Sequence, residues 1–430
     1  MNLWQRRLGL QVNRDGVIDR RDFIHGVSAA SLAVGAVNWT ELMSARADEL
    51  RSRGMACILL FMRGGPSQFE TFSPKPGHPH GGETKAIDTA VSGMQFADNL
   101  PQMAKIAGDL AVIRSMTMKE GNHVRATYLM HTGYAPTASV KYPTLGALVA
   151  KEIGDKSSDL PSFVRIGDRA AEGGGGLLGV EFDAFSMANP QAPANTNLPS
   201  GADRYARRLG LLSRLESSYA ADGSAHEVAE HQKLYAKAAK MITSAKMEAF
   251  GLDREPDAMR DAYGRTDFGS ACLLARRLVE AGVTFIEIDV NGWDTHDDNF
   301  ARVNKLCGQV DQPAAQLITD LKQRGMLDKT LVIWMGEFGR TPKINPRGGR
   351  DHFPKAFNVA LAGGGVRGGQ VIGRTDAGGD EVADRPVGVQ DLFQSFCKSL
   401  AIDPAIENMS RAGRPIKIVD GGKPVAELFA

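Results

Sequence analysis

The chain has 430 residues, 43% of them hydrophobic and 23% charged, with a formal net charge of +1. This composition is typical of a globular protein and excludes a disordered or fibrous chain. A nearly neutral chain gives no bulk electrostatic reason to expect nucleic acid or an anionic membrane as a partner. The scattered cysteines form no CxxC pair, which argues against a disulfide framework and a zinc-thiolate site: Cys57, Cys272, Cys307 and Cys397.

Residues 1–47 have the features of an export leader. The adjacent Arg20 and Arg21 precede an apolar stretch, Ile24–Val37, that is too short to span a bilayer. Small residues at Ala45 and Ala47 suit a cleavage site. The pattern predicts a twin-arginine signal peptide, the twin-arginine translocase as a partner, and a periplasmic or extracytoplasmic mature protein without a transmembrane segment. A buried N-terminal helix is the alternative.

From residue 55 to residue 430, strand-like apolar runs alternate with helix-like segments. Strands alternating with helices predict one α/β domain with a mostly parallel central sheet and helices on both faces. Helices are expected between Asn122 and Gly133, after residue 290, and over Val389–Leu400. The expected strands are Met55–Met62, Leu110–Met116, Phe163–Ile166, Val283–Val290, Thr330–Met335, Phe357–Ala362 and Gln370–Ile372.

Residues 202–281 differ from the rest because they lack strand signals. Leu209, Leu212, Leu215 and Tyr219 recur at helical spacing. The segment is therefore predicted to be a helical insertion, with breaks at about 221–224 and 251–256.

Polar clusters follow or precede three of the expected strands. Asp294 and His296 follow the strand that ends at residue 290, Glu337 follows the next, and His352 precedes the strand that begins at residue 357. Ligands of open α/β sheets bind at the carboxyl ends of strands, so these residues are expected to converge. Together they predict a site for a divalent ion: zinc, manganese or calcium. Helix capping, an internal salt bridge and plain surface exposure are the alternatives.

Further candidates lie near these clusters. His123 and Arg125 open the helix expected after Asn122, where they could act in catalysis. Arg63 follows the first strand, and Arg340 and Arg350 belong to the later clusters. Their charges predict anion binding.

Taken together, these segments resemble an uncharacterised, exported bacterial family of the alkaline phosphatase superfamily, often labelled sulfatase-like. The resemblance covers nearly the whole chain after the leader. It implies an alkaline-phosphatase-like fold and hydrolysis of sulfate or phosphate esters, with a small molecule or polysaccharide as substrate. The segments that carry it are Leu60–Glu70, Asn122–Tyr134, Asn291–Asn299, Gly336–Pro342 and Arg350–Pro354.

The chain also departs from the superfamily pattern. The acidic residue expected after the first strand is replaced by Met62-Arg63-Gly64, and the position that resembles the nucleophile holds His123. Glu337-Phe338 stands where an Asp-His pair is usual. The resemblance is therefore compatible with one ion held by a diverged site. Activity would then come either from metal-bound water or from His123 as nucleophile or general acid/base.

Three functions remain open at this stage. The first is a metal-dependent hydrolase of sulfate or phosphate esters. The second is a catalytically inactive binding or scaffolding protein on the same fold. The third is an anion receptor that uses Arg63, Arg125, Arg340 and Arg350 without a metal.

Overall fold

The computed structural model describes residues 54–167, 174–194, 196, 201–410 and 412–430. The predicted signal peptide at 1–47 lies outside the described residues. In the part of the chain that is described, no helix is both long enough and apolar enough to cross a membrane.

The strands form one large sheet and several small hairpins. They are β1 (Ala56–Met62), β2 (Ala86–Asp88), β3 (Gln95–Ala97), β4 (Leu110–Met116), β5 (Phe163–Ile166), β6 (Phe185–Met187), β7 (Phe285–Val290), β8 (Thr330–Met335), β9 (Gly339–Arg340), β10 (His352–Phe353), β11 (Phe357–Ala362), β12 (Gln370–Ile372), β13 (Arg374–Thr375), β14 (Val382–Asp384), β15 (Glu407–Met409) and β16 (Pro415–Lys417).

The helices follow the same chain order. They are α1 (Pro101–Lys105), α2 (His123–Thr132), α3 (Leu145–Glu152), α4 (Gly201–Tyr219), α5 (Ala225–Thr243), α6 (Asp257–Ala262), α7 (Asp267–Glu280), α8 (Asn299–Gln323) and α9 (Val389–Ser399).

The central sheet has eight strands in the order β12-β4-β11-β8-β1-β7-β5-β6. Within it, β11 runs antiparallel to both β4 and β8, and the other described pairs are parallel. β1 lies at the centre between β7 and β8, which explains why its whole length is apolar and buried. The predicted α/β fold with a mostly parallel sheet is confirmed.

Both faces of the sheet are covered, because alternate residues of each strand point to opposite sides. In β1, Ile58 and Leu60 belong to one core cluster, with α1, α7 and α8. Leu59 and Phe61 belong to the other cluster, with α2, α3 and α9. The helices thus enclose the sheet in two separate apolar layers.

The predicted helical insertion is present as α4 and α5, which are joined by a π-helical turn at Ala220–Ser224. Gly223 has φ +101 there, a conformation that a residue with a Cβ rarely adopts. The insertion is shorter than predicted at its C-terminal end. Helix α7 lies within 202–281 but packs on the sheet through Cys272, Leu274 and Leu278.

Candidate metal site

Two of the predicted clusters are brought together by a small hairpin. Strand β9 pairs antiparallel with β10, which sets His352 opposite Arg340. The cluster after β7 joins them through the backbone, because Arg350 N donates to Thr295 O at 3.0 Å. Loops that follow β7 and β8 and precede β11 therefore meet at one edge of the sheet.

Helix α2 supplies a fourth contribution through its first residue, His123. The Asn122 side chain caps the helix by accepting from Arg125 N at 3.2 Å. Gly133 ends it with φ +75, as predicted for a left-handed C-terminal cap. The Asn122 cap fixes where the helix starts and so holds His123 at the site, and the Gly133 cap fixes where it ends.

The side chains of three histidines converge on the carboxylate of Asp294. Its Oδ1 atom lies 3.3 Å from His123 Nε2, 3.1 Å from His296 Nε2 and 3.4 Å from His352 Nε2. His296 Nε2 and His352 Nε2 are 2.9 Å apart. His123 Nε2 is buried and has no hydrogen-bond partner among the described residues. The sequence prediction did not count His123 as a metal ligand.

The outer nitrogen of each imidazole faces an acceptor. His123 Nδ1 lies 2.7 Å from Glu337 Oε1, His296 Nδ1 lies 2.8 Å from Asp351 Oδ1, and His352 Nδ1 lies 2.8 Å from the carbonyl oxygen of Gly121. Since a carbonyl or carboxylate oxygen can only accept, each Nδ1 carries the proton. Each Nε2 atom therefore presents a lone pair to the centre.

These distances suit a tetrahedral metal ion. His and Asp ligands bind zinc at about 2.0–2.1 Å, which places ligand atoms of a tetrahedron about 3.3 Å apart. The ligand atoms of His123, Asp294 and His352 lie within 4.8 Å of one another, and His296 Nε2 lies 3.1 Å from the Asp294 oxygen. The residues present therefore fit a cation. None of the three histidines could take the place of that cation, because none has an Nε2 proton to donate to the others.

Arg340 compensates the charge of Asp294. Its Nη2 lies 2.6 Å from Asp294 Oδ1, and its Nε donates to the carbonyl oxygen of Gly65 at 2.9 Å. Burial alone would raise the pKa of Asp294, but the hydrogen bond and charge of Arg340 outweigh it and hold that pKa at about 2. The guanidinium is fully buried. Anion binding was predicted for Arg340, and the anion that it contacts is this carboxylate.

Glu337 was predicted to be a metal ligand, and the structure places it behind His123 instead. Its buried carboxylate accepts from Gly64 N at 2.9 Å and 3.1 Å as well as from His123. Burial lowers the pKa of His123, but the hydrogen bond to Glu337 and its charge raise it above the ordinary value overall. Glu337 therefore orients His123 and fixes its tautomer.

The remaining predicted residues lie outside this group. Arg125 is exposed and pairs with Glu120 at 2.7 Å. Arg63 lies 3.4 Å from Asp289.

Arg350, predicted to bind an anion, is buried as part of the scaffold. Its Nη2 lies 2.8 Å from Glu70 Oε1, and its guanidinium stacks over the Phe69 ring at 4.5 Å. Glu70 compensates the charge of Arg350. Because the whole side chain is enclosed, the guanidinium cannot contact a ligand in solution.

Asp351 contacts His296 and not the adjacent His352. Its carboxylate accepts a hydrogen bond from His296, and that hydrogen bond lowers the pKa of Asp351. Gly121, which holds His352 through its carbonyl oxygen, was not predicted as part of the site. No side-chain signal marks such a residue, because any amino acid offers the same carbonyl group.

Solved structures of similar fold include several hydrolases. The chain is similar to a sulfatase from Pseudoalteromonas sp. at 15% identity, with a TM-score of 0.39, over 85% of this chain and 72% of that chain. A phosphonate monoester hydrolase of Agrobacterium radiobacter matches at 11% identity, with a TM-score of 0.40, over 87% of this chain and 77% of that chain.

A third structure belongs to the alkaline phosphatase superfamily and comes from Vibrio parahaemolyticus. It is similar at 11% identity, with a TM-score of 0.40, over 86% of this chain and 76% of that chain. These are likenesses of fold alone. None of the curated proteins matches the sequence significantly.

A family model also matches the sequence. It runs over residues 55–429 and so includes the sheet, the insertion and all four converging residues. The chain belongs to the family described as "Protein of unknown function (DUF1501)".

Proposed function

We propose that the protein is an exported hydrolase of phosphate or sulfate esters that uses one divalent ion held by His123, Asp294, His296 and His352. The observation that carries this proposal is the convergence of three imidazole Nε2 atoms on one carboxylate, with each Nδ1 atom facing an acceptor. Lone pairs that face one another are stabilised by a cation between them.

The donor set favours zinc among the predicted ions. Histidine nitrogens and a carboxylate oxygen are ligands that zinc binds, whereas calcium takes roughly six to eight oxygen ligands. With four protein ligands, water would occupy a fifth position, which catalytic zinc can adopt. Manganese also prefers oxygen-rich sites. The geometry therefore supports zinc before manganese, and gives calcium little support.

A divalent ion lowers the pKa of water and withdraws negative charge from an ester oxygen. The residues of the chain perform the remaining tasks. Glu337 and Asp351 keep the proton of His123 and His296 on Nδ1, away from the centre. Arg340 keeps Asp294 ionised. Phosphate and sulfate esters suit this arrangement because their transition states gather negative charge on oxygen.

His123 was predicted to be a nucleophile or general acid/base. If its Nε2 lone pair holds the ion, that lone pair is not available to attack an ester or accept a proton. We therefore assign His123 to ion binding. Arg125, the other residue predicted for catalysis, is held by Glu120 and takes no part in this proposal.

One observation favours the second function, a binding protein without turnover. In the part of the chain that the structure describes, no hydroxyl or thiol side chain hydrogen-bonds to the side chains of the four converging residues. A covalent ester intermediate on Ser, Thr or Cys therefore has no support at this site, and hydrolysis would depend on water alone.

Metal analysis combined with an ester-hydrolysis assay tests the proposal. The purified protein is expected to hold zinc near stoichiometry and to hydrolyse p-nitrophenyl phosphate or p-nitrophenyl sulfate. Chelation should abolish turnover, and added zinc should restore it. His296→Ala and His352→Ala should each lose both zinc and turnover, whereas His226→Ala, at an exposed position of α5, should keep them. Bound zinc without turnover on any ester would contradict the hydrolase and favour the binding protein. A protein that stays folded and binds no ion would also contradict the hydrolase and favour the binding protein.

A further inference from the structure

Helix α4 turns large apolar side chains toward solvent. Leu211 is 58% exposed, Leu215 57% and Tyr219 66%. Their spacing of four residues places them along one side of the helix. Since a soluble domain normally buries such a row, this side of α4 has the character of a contact surface.

Arginines continue the same side toward the helix N-terminus. Arg204 and Arg208 precede Leu211 at helical spacing and lie in line with Leu215 and Tyr219. Arg207 and Arg214 flank this row. In the described part of the chain, none of the four arginines has a hydrogen bond or an ion pair. We call Arg204, Arg208, Leu211, Leu215 and Tyr219 the outer face of α4.

The opposite side of α4 is used for packing. Tyr205, Leu209 and Leu212 are half-buried, and Glu216 is buried. Glu216 also hydrogen-bonds to His231 of α5, which ties the two helices together. The helix therefore needs no contact through its outer face to hold its place in the insertion.

We propose that the outer face of α4 docks on an anionic lipid surface. A helix that combines Leu and Tyr with unpaired Arg on its free side can lie in the plane of a bilayer interface. The apolar side chains would enter the acyl boundary, while the arginines extend to lipid phosphates. The net charge of +1 for the whole chain conceals this local concentration of positive charge. The inference is independent of the proposed function.

A second copy of the chain fits this surface less well. Two outer faces packed together would bring arginines against arginines, and the face contains no carboxylate to offset them. An acidic protein could pair with the arginines, but charge pairing gives no role to an exposed row of Leu and Tyr. An anionic lipid surface satisfies both features.

A fluorescent label on the outer face tests the proposal in the full chain. All four natural cysteines are buried, so a new surface cysteine can be labelled selectively. Leu215→Cys carrying an environment-sensitive dye should shift to the blue with phosphatidylglycerol vesicles and not with phosphatidylcholine vesicles. Ser217→Cys is the matched control, because it is exposed but turned about 200° around the helix. Its label should not shift.

The emission of the dye depends only on its immediate surroundings. If the protein binds vesicles through another part of the chain, this emission does not change. Adding Arg204→Gln and Arg208→Gln to the labelled variant should weaken the response to vesicles roughly 30-fold, given the usual contribution of each arginine near an anionic membrane. The absence of a shift with phosphatidylglycerol vesicles would overturn the proposal. So would a shift that grows with protein concentration alone, which indicates a second copy, or one produced by polyglutamate without lipid.

Discussion

The Nε2 atoms of His296 and His352 lie 2.9 Å apart, and neither ring can donate to the other. His296 uses its Nδ1 proton for Asp351, and His352 uses its own for the carbonyl oxygen of Gly121. Two lone pairs therefore face each other across a distance typical of a hydrogen bond. Such a contact is stable only with a proton or a metal ion between the two nitrogens.

This contact predicts how ion binding depends on pH. A metal ion competes with protons for the imidazole nitrogens, so affinity should fall as the pH drops through about 6.5. Glu337 raises the pKa of His123, whereas burial lowers the pKa of His352, so His123 should hold a competing proton at a higher pH than His352. Calorimetric titration with zinc in two buffers of different ionisation enthalpy measures the protons released. More should be released at about pH 6 than at about pH 8, and equal release at both would contradict the assignment of histidine ligands.

Glu337→Gln tests the orientation of His123. The carboxylate accepts from both Gly64 N and His123 Nδ1. In a glutamine, an NH2 donor replaces one of the two oxygens and faces the Gly64 N–H in either orientation of the amide. The negative charge is also lost, so the His123 ring is held less firmly. We expect zinc affinity to fall about 10- to 100-fold. The control is Glu120→Gln, which removes the partner of Arg125 and should leave zinc affinity unchanged; equal losses in both variants would contradict a specific role for Glu337.

Much of the fold could be predicted because local patterns determine it. The runs Leu110–Met116 and Thr330–Met335 are strands with the predicted bounds, since buried strands appear as short apolar runs between turns. The antiparallel direction of Phe357–Ala362 could not be predicted. A strand buried on both faces has the same apolar run in either direction, so its composition does not record its orientation.

The site was predictable only in outline. The rule that ligands bind at carboxyl ends of strands indicated that Asp294, His296 and His352 meet, and in the structure their side chains do meet. It could not decide whether Glu337 would contact an ion or His123. That choice depends on how the loops after β1 and β8 pack against α2, which residue spacing does not specify.

Gly349→Ala should distort the site through the backbone. A Cβ at this position would lie 2.0 Å from both the carbonyl carbon and the carbonyl oxygen of His296. Because backbone atoms cannot move aside as a flexible side chain does, the two loops would have to separate. We expect destabilisation of about 1–3 kcal/mol, measured by urea unfolding, together with weaker zinc binding. Gly308→Ala is the matched control, since a Cβ there meets nothing within 4 Å. It should change stability by less than about 1 kcal/mol, in the stabilising direction, and leave zinc binding intact.

A buried ionic network lies on the sheet face below α2. Glu287 Oε1 lies 3.0 Å from His131 Nε2 and 3.2 Å from Arg165 Nε. Asp289, next on the same face of β7, lies 3.4 Å from Arg63. Burial is the largest cause that raises the pKa of Asp289. The charge of Glu287 raises this pKa further, to about 7. Burial also raises the pKa of Glu287, but the charges of Arg165 and His131 outweigh it and hold that pKa well below the ordinary value.

Asp289→Asn should therefore have an effect on stability that depends on pH. The pKa of an aspartate in an unfolded chain is about 3.9, so ionising the folded Asp289 costs stability increasingly as pH rises from about 4 to 7. The variant avoids this cost. The difference between its free energy of unfolding and that of the natural chain should therefore rise in favour of the variant by a few kcal/mol across this window, and should stay constant above it. Glu287→Gln is the comparison. Since the folded pKa of Glu287 is depressed, its own contribution is complete above about pH 5. Removing its charge should also lower the pKa of Asp289 and of His131, so the destabilisation of this variant should decrease as pH rises from about 5 to 8. Urea unfolding of the three proteins across this range measures both trends. A difference between Asp289→Asn and the natural chain that does not change with pH would mean that Arg63 keeps Asp289 ionised throughout.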